Sequence, residues 1–170
     1  MPDVFPVDTS GANFAPPVTA WRYSPRKEKP EGGIAKAPYA AMKKEWKIPS
    51  SRTDGFMSIH DDFNDADGVV YFGTVATAPC DGTWRLHVGH DGGVRVFVDG
   101  KDVLTAAKAY NPATPGRSHV DVTLSKGKHD IVVAFDLAAG RGWGMYTHIE
   151  AIGKMRRSKT KKVVFPTFTV

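Results

Sequence analysis

Five Asp-Gly pairs, at 54–55, 67–68, 81–82, 91–92 and 99–100, punctuate the chain from residue 54 onward, and Lys126-Gly127 adds another bend. Asp-Gly suits a two-residue hairpin turn, because both central positions of that turn need positive φ. Between the bends, side-chain character alternates with a period of two. Trp84, Leu86 and Val88 alternate with Arg85, His87 and Gly89, and Val94, Val96 and Val98 with Arg95, Phe97 and Asp99. Val120, Val122 and Leu124 alternate with His119, Asp121 and Thr123; Ile131, Val133 and Phe135 follow, then Met145, Thr147, Ile149 and Ala151. A strand sends successive side chains to opposite faces, so each segment predicts one buried face and one open face. Residues 69–77 are apolar on both faces and predict a central strand. Residues 163–170 predict a closing edge strand, where Pro166 is tolerated. Short, evenly spaced strands between Gly-rich bends predict an all-β sandwich or barrel.

Residues 1–33 lack this periodicity and are broken by Pro2, Pro6, Pro16, Pro17, Pro25 and Pro30. They predict an irregular N-terminal arm lying over a core, or a linker, and Trp21 and Tyr23 favour docking. Residues 34–46, rich in Ala and Lys, predict a short helix that Pro38 restricts to a start near that point. The domain is therefore expected over residues 34–170. At 170 residues the chain suits one domain with a full core. The formal charge of +5 would attract polyanions. Six of the basic residues, Lys154, Arg156, Arg157, Lys159, Lys161 and Lys162, form one run, and without it the chain is close to neutral. That run has no interleaved aromatics, so it reads as a solvated loop and not as a nucleic-acid clamp. Cys80 is the only cysteine and excludes an internal disulfide. No apolar stretch is long enough to span a bilayer, so no membrane partner is expected. Residues 1–14 carry no signal pattern, which leaves two readings: a cytosolic protein, or one trimmed of a leader or parent.

The stretch from 71 to 151, which opens YFGTVATAP and ends RGWGMYTHIEA, resembles the jelly-roll, galactose-binding-like accessory domains of bacterial glycoside hydrolases. The residues that carry the resemblance are Gly89, Asp91, Asp99, Gly100, Lys101, Leu124, Gly127, Trp143 and Gly144. It covers about half the chain, and the matching positions are mostly turn residues. The same hairpin is similar to that of the protective-antigen-type carbohydrate-binding domain, in which adjacent aspartates hold calcium beside the sugar. Here that pair is His90-Asp91, one carboxylate short. The resemblance implies a two-sheet antiparallel jelly-roll β-sandwich, an oligo- or polysaccharide ligand, and a parent hydrolase or assembly as partner. It also implies an extracellular or periplasmic setting and no required cofactor.

A sugar site needs aromatic faces for the apolar side of the ring and polar side chains for its hydroxyls. Tyr110, Trp143 and Tyr146 are the candidate aromatics, with Arg117 and Arg141 beside them. Tyr110 lies in the irregular connection from 106 to 117, and Trp143 follows the Ala-Ala-Gly-Arg-Gly bend. The plainer alternative is that Trp143 caps the core and Tyr110 pins its loop. The acidic run offers Asp61, Asp62, Asp65 and Asp67 to a structural calcium. It fails the spacing of a linear calcium loop, since counting back from Gly68 puts Phe63 at the first ligand position, and a solvated turn is favoured. His87 and His90 fall on opposite faces of a strand and cannot share an ion there. No nucleophile elbow, phosphate loop or Cys–His pair is present.

Three functions remain open at this level: a non-catalytic carbohydrate-binding module, a structural jelly-roll subunit that mediates protein assembly, and a small lyase or hydrolase. The first is favoured.

Overall fold

The computed structural model describes residues 6–170. Its strands are β1 (Arg22–Tyr23), β2 (Ser50–Ser51), β3 (Met57–Ser58), β4 (Val69–Ala78), β5 (Gly82–His90), β6 (Val94–Val98), β7 (Lys101–Ala106), β8 (Ser118–Leu124), β9 (Gly127–Asp136), β10 (Gly144–Ala151) and β11 (Thr167–Thr169). They form two antiparallel sheets. One has the order β1-β4-β9-β6-β7, with β11 also on β4; the other has the order β2-β3-β10-β5-β8. From β4 onward the chain changes sheet at every connection except the β6–β7 hairpin. The fold is the expected two-sheet sandwich.

The period-two pattern places the side chains as it should. Trp84, Leu86, Met145, Ile149, Val122 and Leu124 point inward from one sheet, and Val70, Phe72, Val94, Val96, Ile131, Val133 and Phe135 meet them from the other. The β4–β9 ladder runs unbroken from Val69 opposite Asp136 to Ala78 opposite Gly127. Both faces of this pair are apolar, so a second cluster forms outside the sheet. There Ile34, Ala37 and Trp46 cover Val69, Tyr71, Phe97, Val132 and Ala134.

That cover accounts for one failed expectation. Residues 34–46 form only a 3-10 turn at Ile34–Lys36 and no longer helix. Their carbonyls serve the sheet instead: the Pro38 oxygen accepts from the Tyr71 hydroxyl, and the Ala37 oxygen from Arg95. An extended path lays three apolar side chains over a flat sheet, and tertiary packing overrides the helical propensity. The Asp-Gly pairs also divide by role. Asp99-Gly100 is the two-residue hairpin turn, with φ of 51° and 79°. Asp91-Gly92 instead carries the chain from one sheet to the other.

The described part of the N-terminal arm, residues 6–33, joins the body of the fold. Asn13, Ala15 and Val18 hydrogen-bond to Ala151, Ile149 and Thr147 along β10. Trp21 is 1% exposed; its indole N–H reaches the Val18 carbonyl and the Thr147 hydroxyl, each at 3.1 Å. Over residues 6–33 this docking fits the arm reading, because an independent linker would leave Trp21 in water. Residues 1–5 lie outside the described part. Trp21→Ala should destabilise the fold by about 3–5 kcal/mol, the range for a large aromatic removed from a packed core. Urea unfolding measures this, and a loss below about 1 kcal/mol would show that the arm is dispensable.

The outward face of the second sheet holds a row that the alternation did not reveal. His119, His87 and His148 face one another across β8, β5 and β10. His87 is 4% exposed and His148 2%. Burial lowers both pKa values, at His87 against the pull of Glu150, whose Oε1 lies 2.9 Å from its Nε2, and at His148 with further lowering by His87. A base whose pKa is depressed by folding stabilises the fold above its unfolded value, here 6.5, and loses that contribution as the pH falls through the folded value. The unfolding midpoint should therefore drop on acidification from pH 7.5 to 5.5, and His148→Gln should shallow the drop. A midpoint that stays level or rises would overturn this account.

Candidate functional site

Three connections, 91–93, 107–117 and 137–143, meet at one end of the sandwich, and 52–56 joins them from the β2–β3 connection. The backbones approach too closely for side chains at two points. A Cβ on Gly92 would stand 1.9 Å from the Asp136 carbonyl oxygen, and one on Gly144 1.9 Å from that of Met57. Between these glycines sits Asp91, 7% exposed. Its Oδ1 accepts the amide N–H groups of Gly92 at 2.9 Å, Trp143 at 2.8 Å and Gly144 at 3.1 Å. Burial raises the Asp91 pKa even against these three donors. Its backbone carbonyl accepts from Tyr110, which ties in the third connection.

The 137–143 connection is held in a costly shape. Ala138 and Ala139 have φ of 49° and 52°, a left-handed conformation that costs a non-glycine residue about 1–3 kcal/mol. Two carboxylates hold it: Asp136 Oδ1 accepts from Ala138 N–H and Asp67 Oδ1 from Ala139 N–H. Lys29 bridges those carboxylates at 2.8 and 3.0 Å. Together they fix where Arg141 and Trp143 stand.

Trp143 is the exposed aromatic of this end, at 49%. Its N–H is held by Asp91, its carbonyl by Ile59, and its indole N–H donates to the Gly140 carbonyl at 3.0 Å. One ring face stacks on His60, with centroids 4.0 Å apart and planes 16° apart. His60 opens the single helical turn, α1 (His60–Phe63). Trp143 lines a cleft of about 420 Å3 together with Arg52, Phe56, Asp91, Asn111, Arg141 and Tyr146. Tyr146 is 8% exposed and donates its hydroxyl hydrogen to Asp54 at 2.9 Å, while Arg52 reaches the same oxygen at 3.4 Å. Burial and then Asp54 raise the Tyr146 pKa. Burial opposes ionisation of Asp54, but the Phe56 amide, Tyr146 and Arg52 hold its pKa below the ordinary value.

Of the five sequence candidates, the structure brings together Arg141, Trp143 and Tyr146. Tyr110 and Arg117 pair with each other, the guanidinium 3.7 Å over the ring, and they are not among the residues lining the cleft. The acidic run does not converge. Asp62 is taken by the Tyr23 hydroxyl and Lys47, Asp67 by Lys29, and no three His, Cys, Asp or Glu side chains among the described residues group around a metal position. His90, where the calcium pair of the similar hairpin would begin, is fully buried between the Gly92 carbonyl and the Ser118 hydroxyl. Arg52, Phe56, Asn111 and His60 were not foreseen. Two-residue strands flank the first two and carry no periodic signal, and His60 acts only through a ring 83 residues away in sequence.

No protein-family model matches the chain, and no curated protein matches it in sequence. Solved structures with similarity include a β-glucosidase from Kluyveromyces marxianus (TM-score 0.49, 11% identity, 78% of this chain and 16% of that one). Others are a GH2 β-galacturonidase from Eisenbergiella tayi (TM-score 0.49, 17% identity, 87% and 27%) and the PA14 sugar-binding domain of an RTX adhesin (TM-score 0.37, 22% identity, 49% and 45%). This chain spans less than half the length of each.

Asp91→Ala would strip one acceptor from three amides at once and release the Trp143 segment. A loss of at least about 2 kcal/mol in urea unfolding, with a red shift of tryptophan emission, is expected. Unchanged stability and emission would show that Asp91 does not position Trp143.

Proposed function

We propose that the chain is a non-catalytic module that binds oligo- or polysaccharide in the 420 Å3 cleft. The observation that carries this reading is Trp143: half exposed, yet held through its N–H, its carbonyl, its indole nitrogen and one ring face. A protein that needed this ring only for stability would bury it, and an incidental surface tryptophan would not be so constrained. A preset aromatic plate costs little entropy when a sugar stacks on it. Arg52, Asn111 and Arg141 supply donors for ring hydroxyls around it.

The acid content of the cleft favours binding over hydrolysis. Glycoside cleavage uses two carboxyl groups across the scissile bond. Asp91 is the only carboxylate among the described residues that line the cleft, and its Oδ1 is committed to three amides. With this reading go an extracellular or periplasmic setting and a parent hydrolase or larger assembly as partner.

The test is retention on immobilised polysaccharides and a glycan array. Trp143→Ala should lower affinity about tenfold or more while far-UV circular dichroism stays the same. A folded wild-type protein that retains no glycan would overturn the reading, as would a variant that binds as well as wild type.

A further inference from the structure

We infer that the cleft selects glycans bearing a carboxylate, so that the ligand contains uronic acid and Arg141 is the residue that reads it. This rests on the carbohydrate reading above.

The two cations of the cleft differ in one respect. Arg52 is answered within the protein: its Nε lies 3.7 Å from Asp54, its Nη2 reaches the Tyr146 hydroxyl, and its guanidinium lies 4.6 Å over the Phe56 ring. Arg141 has no carboxylate partner among the described residues. Among the described residues its side chain makes one hydrogen bond, from Nε to the Ala138 carbonyl at 3.2 Å. That bond orients the guanidinium plane and leaves the two-nitrogen fork at its far end for a ligand. The fork is matched in spacing and planarity by a carboxylate, which accepts two parallel N–H bonds.

Position strengthens the assignment. Arg141 stands two residues before Trp143 on the connection that Asp67, Asp136 and Lys29 hold in shape, so plate and fork are fixed by the same backbone. The cleft's own acid, Asp91, is oriented toward amides, and Asp54 is occupied by Tyr146 and Arg52. Neither is committed to Arg141. A hexuronate whose ring lies on Trp143 carries its carboxylate at the ring edge, where the neighbouring guanidinium would meet it. A neutral sugar on the same plate would leave that charge unanswered.

The experiment uses the full chain and titrates pectic galacturonides, glucuronoxylan and alginate oligosaccharides by calorimetry. Each is paired with its carboxyl-reduced counterpart, and sulfated galactan oligosaccharides form a further arm. At least one uronate should bind about tenfold more tightly than its reduced form. Arg141→Gln should abolish that preference, so that acidic and reduced forms bind alike, and Arg141→Lys should restore only part of it. Equal binding of acidic and reduced forms, lost in Trp143→Ala, would overturn the uronate assignment and leave the carbohydrate reading standing. Arg141-dependent binding confined to the sulfated arm would overturn it as well. No binding of any glycan by folded protein would remove the carbohydrate reading itself and the inference with it.

Discussion

The pairing of β4 with β9 constrains everything else. Two long strands lie side by side with apolar residues on both faces, so the sheet they form must be covered twice. The inner cover is the second sheet, which is why the chain crosses the sandwich at nearly every connection after β4. The outer cover must come from chain that is not already strand, and residues 34–46 supply it. Each apolar side chain buried in this way contributes about 1.5–3 kcal/mol, enough to cancel a modest helical preference in the covering segment.

Repeated crossing gathers connections at the two ends of the sandwich, and the ends are unlike. At one, β10 runs out into the basic loop 154–162, which is almost wholly solvent-exposed. At the other, three connections converge so tightly that only glycine fits at 92 and 144, and a buried carboxylate binds the backbone together. Asp91 has the character of a structural ion: its charge is desolvated, but it replaces what would otherwise be unpaired amides. The left-handed alanines at 138 and 139 persist for a related reason. Local cost is accepted because neighbouring carboxylates specify the conformation more strongly than the backbone resists it.

The alternation of Trp84, Leu86 and Val88, and of its counterparts in β6, β8, β9 and β10, made the sandwich legible, because the strand period is a property of neighbouring residues alone. The aromatic at 143 and the arginine at 141 were legible for a similar reason: they sit beside a Gly-rich bend, where a side chain has little to pack against. What could not be read were properties that depend on long-range pairing. Asp91-Gly92 carries the same two letters as Asp99-Gly100, yet one pair is a buried sheet crossing and the other an exposed hairpin. Only the partner strands decide which. Tyr110 is in the loop where it was expected, but Arg117, seven residues on, covers its ring. The histidine row likewise emerges only when β5, β8 and β10 are set in register.

The contrast between Tyr110 and Trp143 bears on how such a fold makes a binding surface. Both rings are aromatic, both lie in connections at the same end, and both have a ring or cation stacked on them. The Arg117 guanidinium lies 3.7 Å over the Tyr110 ring and takes up that aromatic face. His60 under Trp143 covers one face of a larger ring that remains half exposed, with its indole N–H already committed to Gly140. What Trp143 still lacks is an apolar contact and not a hydrogen bond, and the proposed sugar would offer that contact through its ring face. The proposed sugar ligand thus rests on the unmet requirement of one side chain more than on the number of aromatics near the cleft.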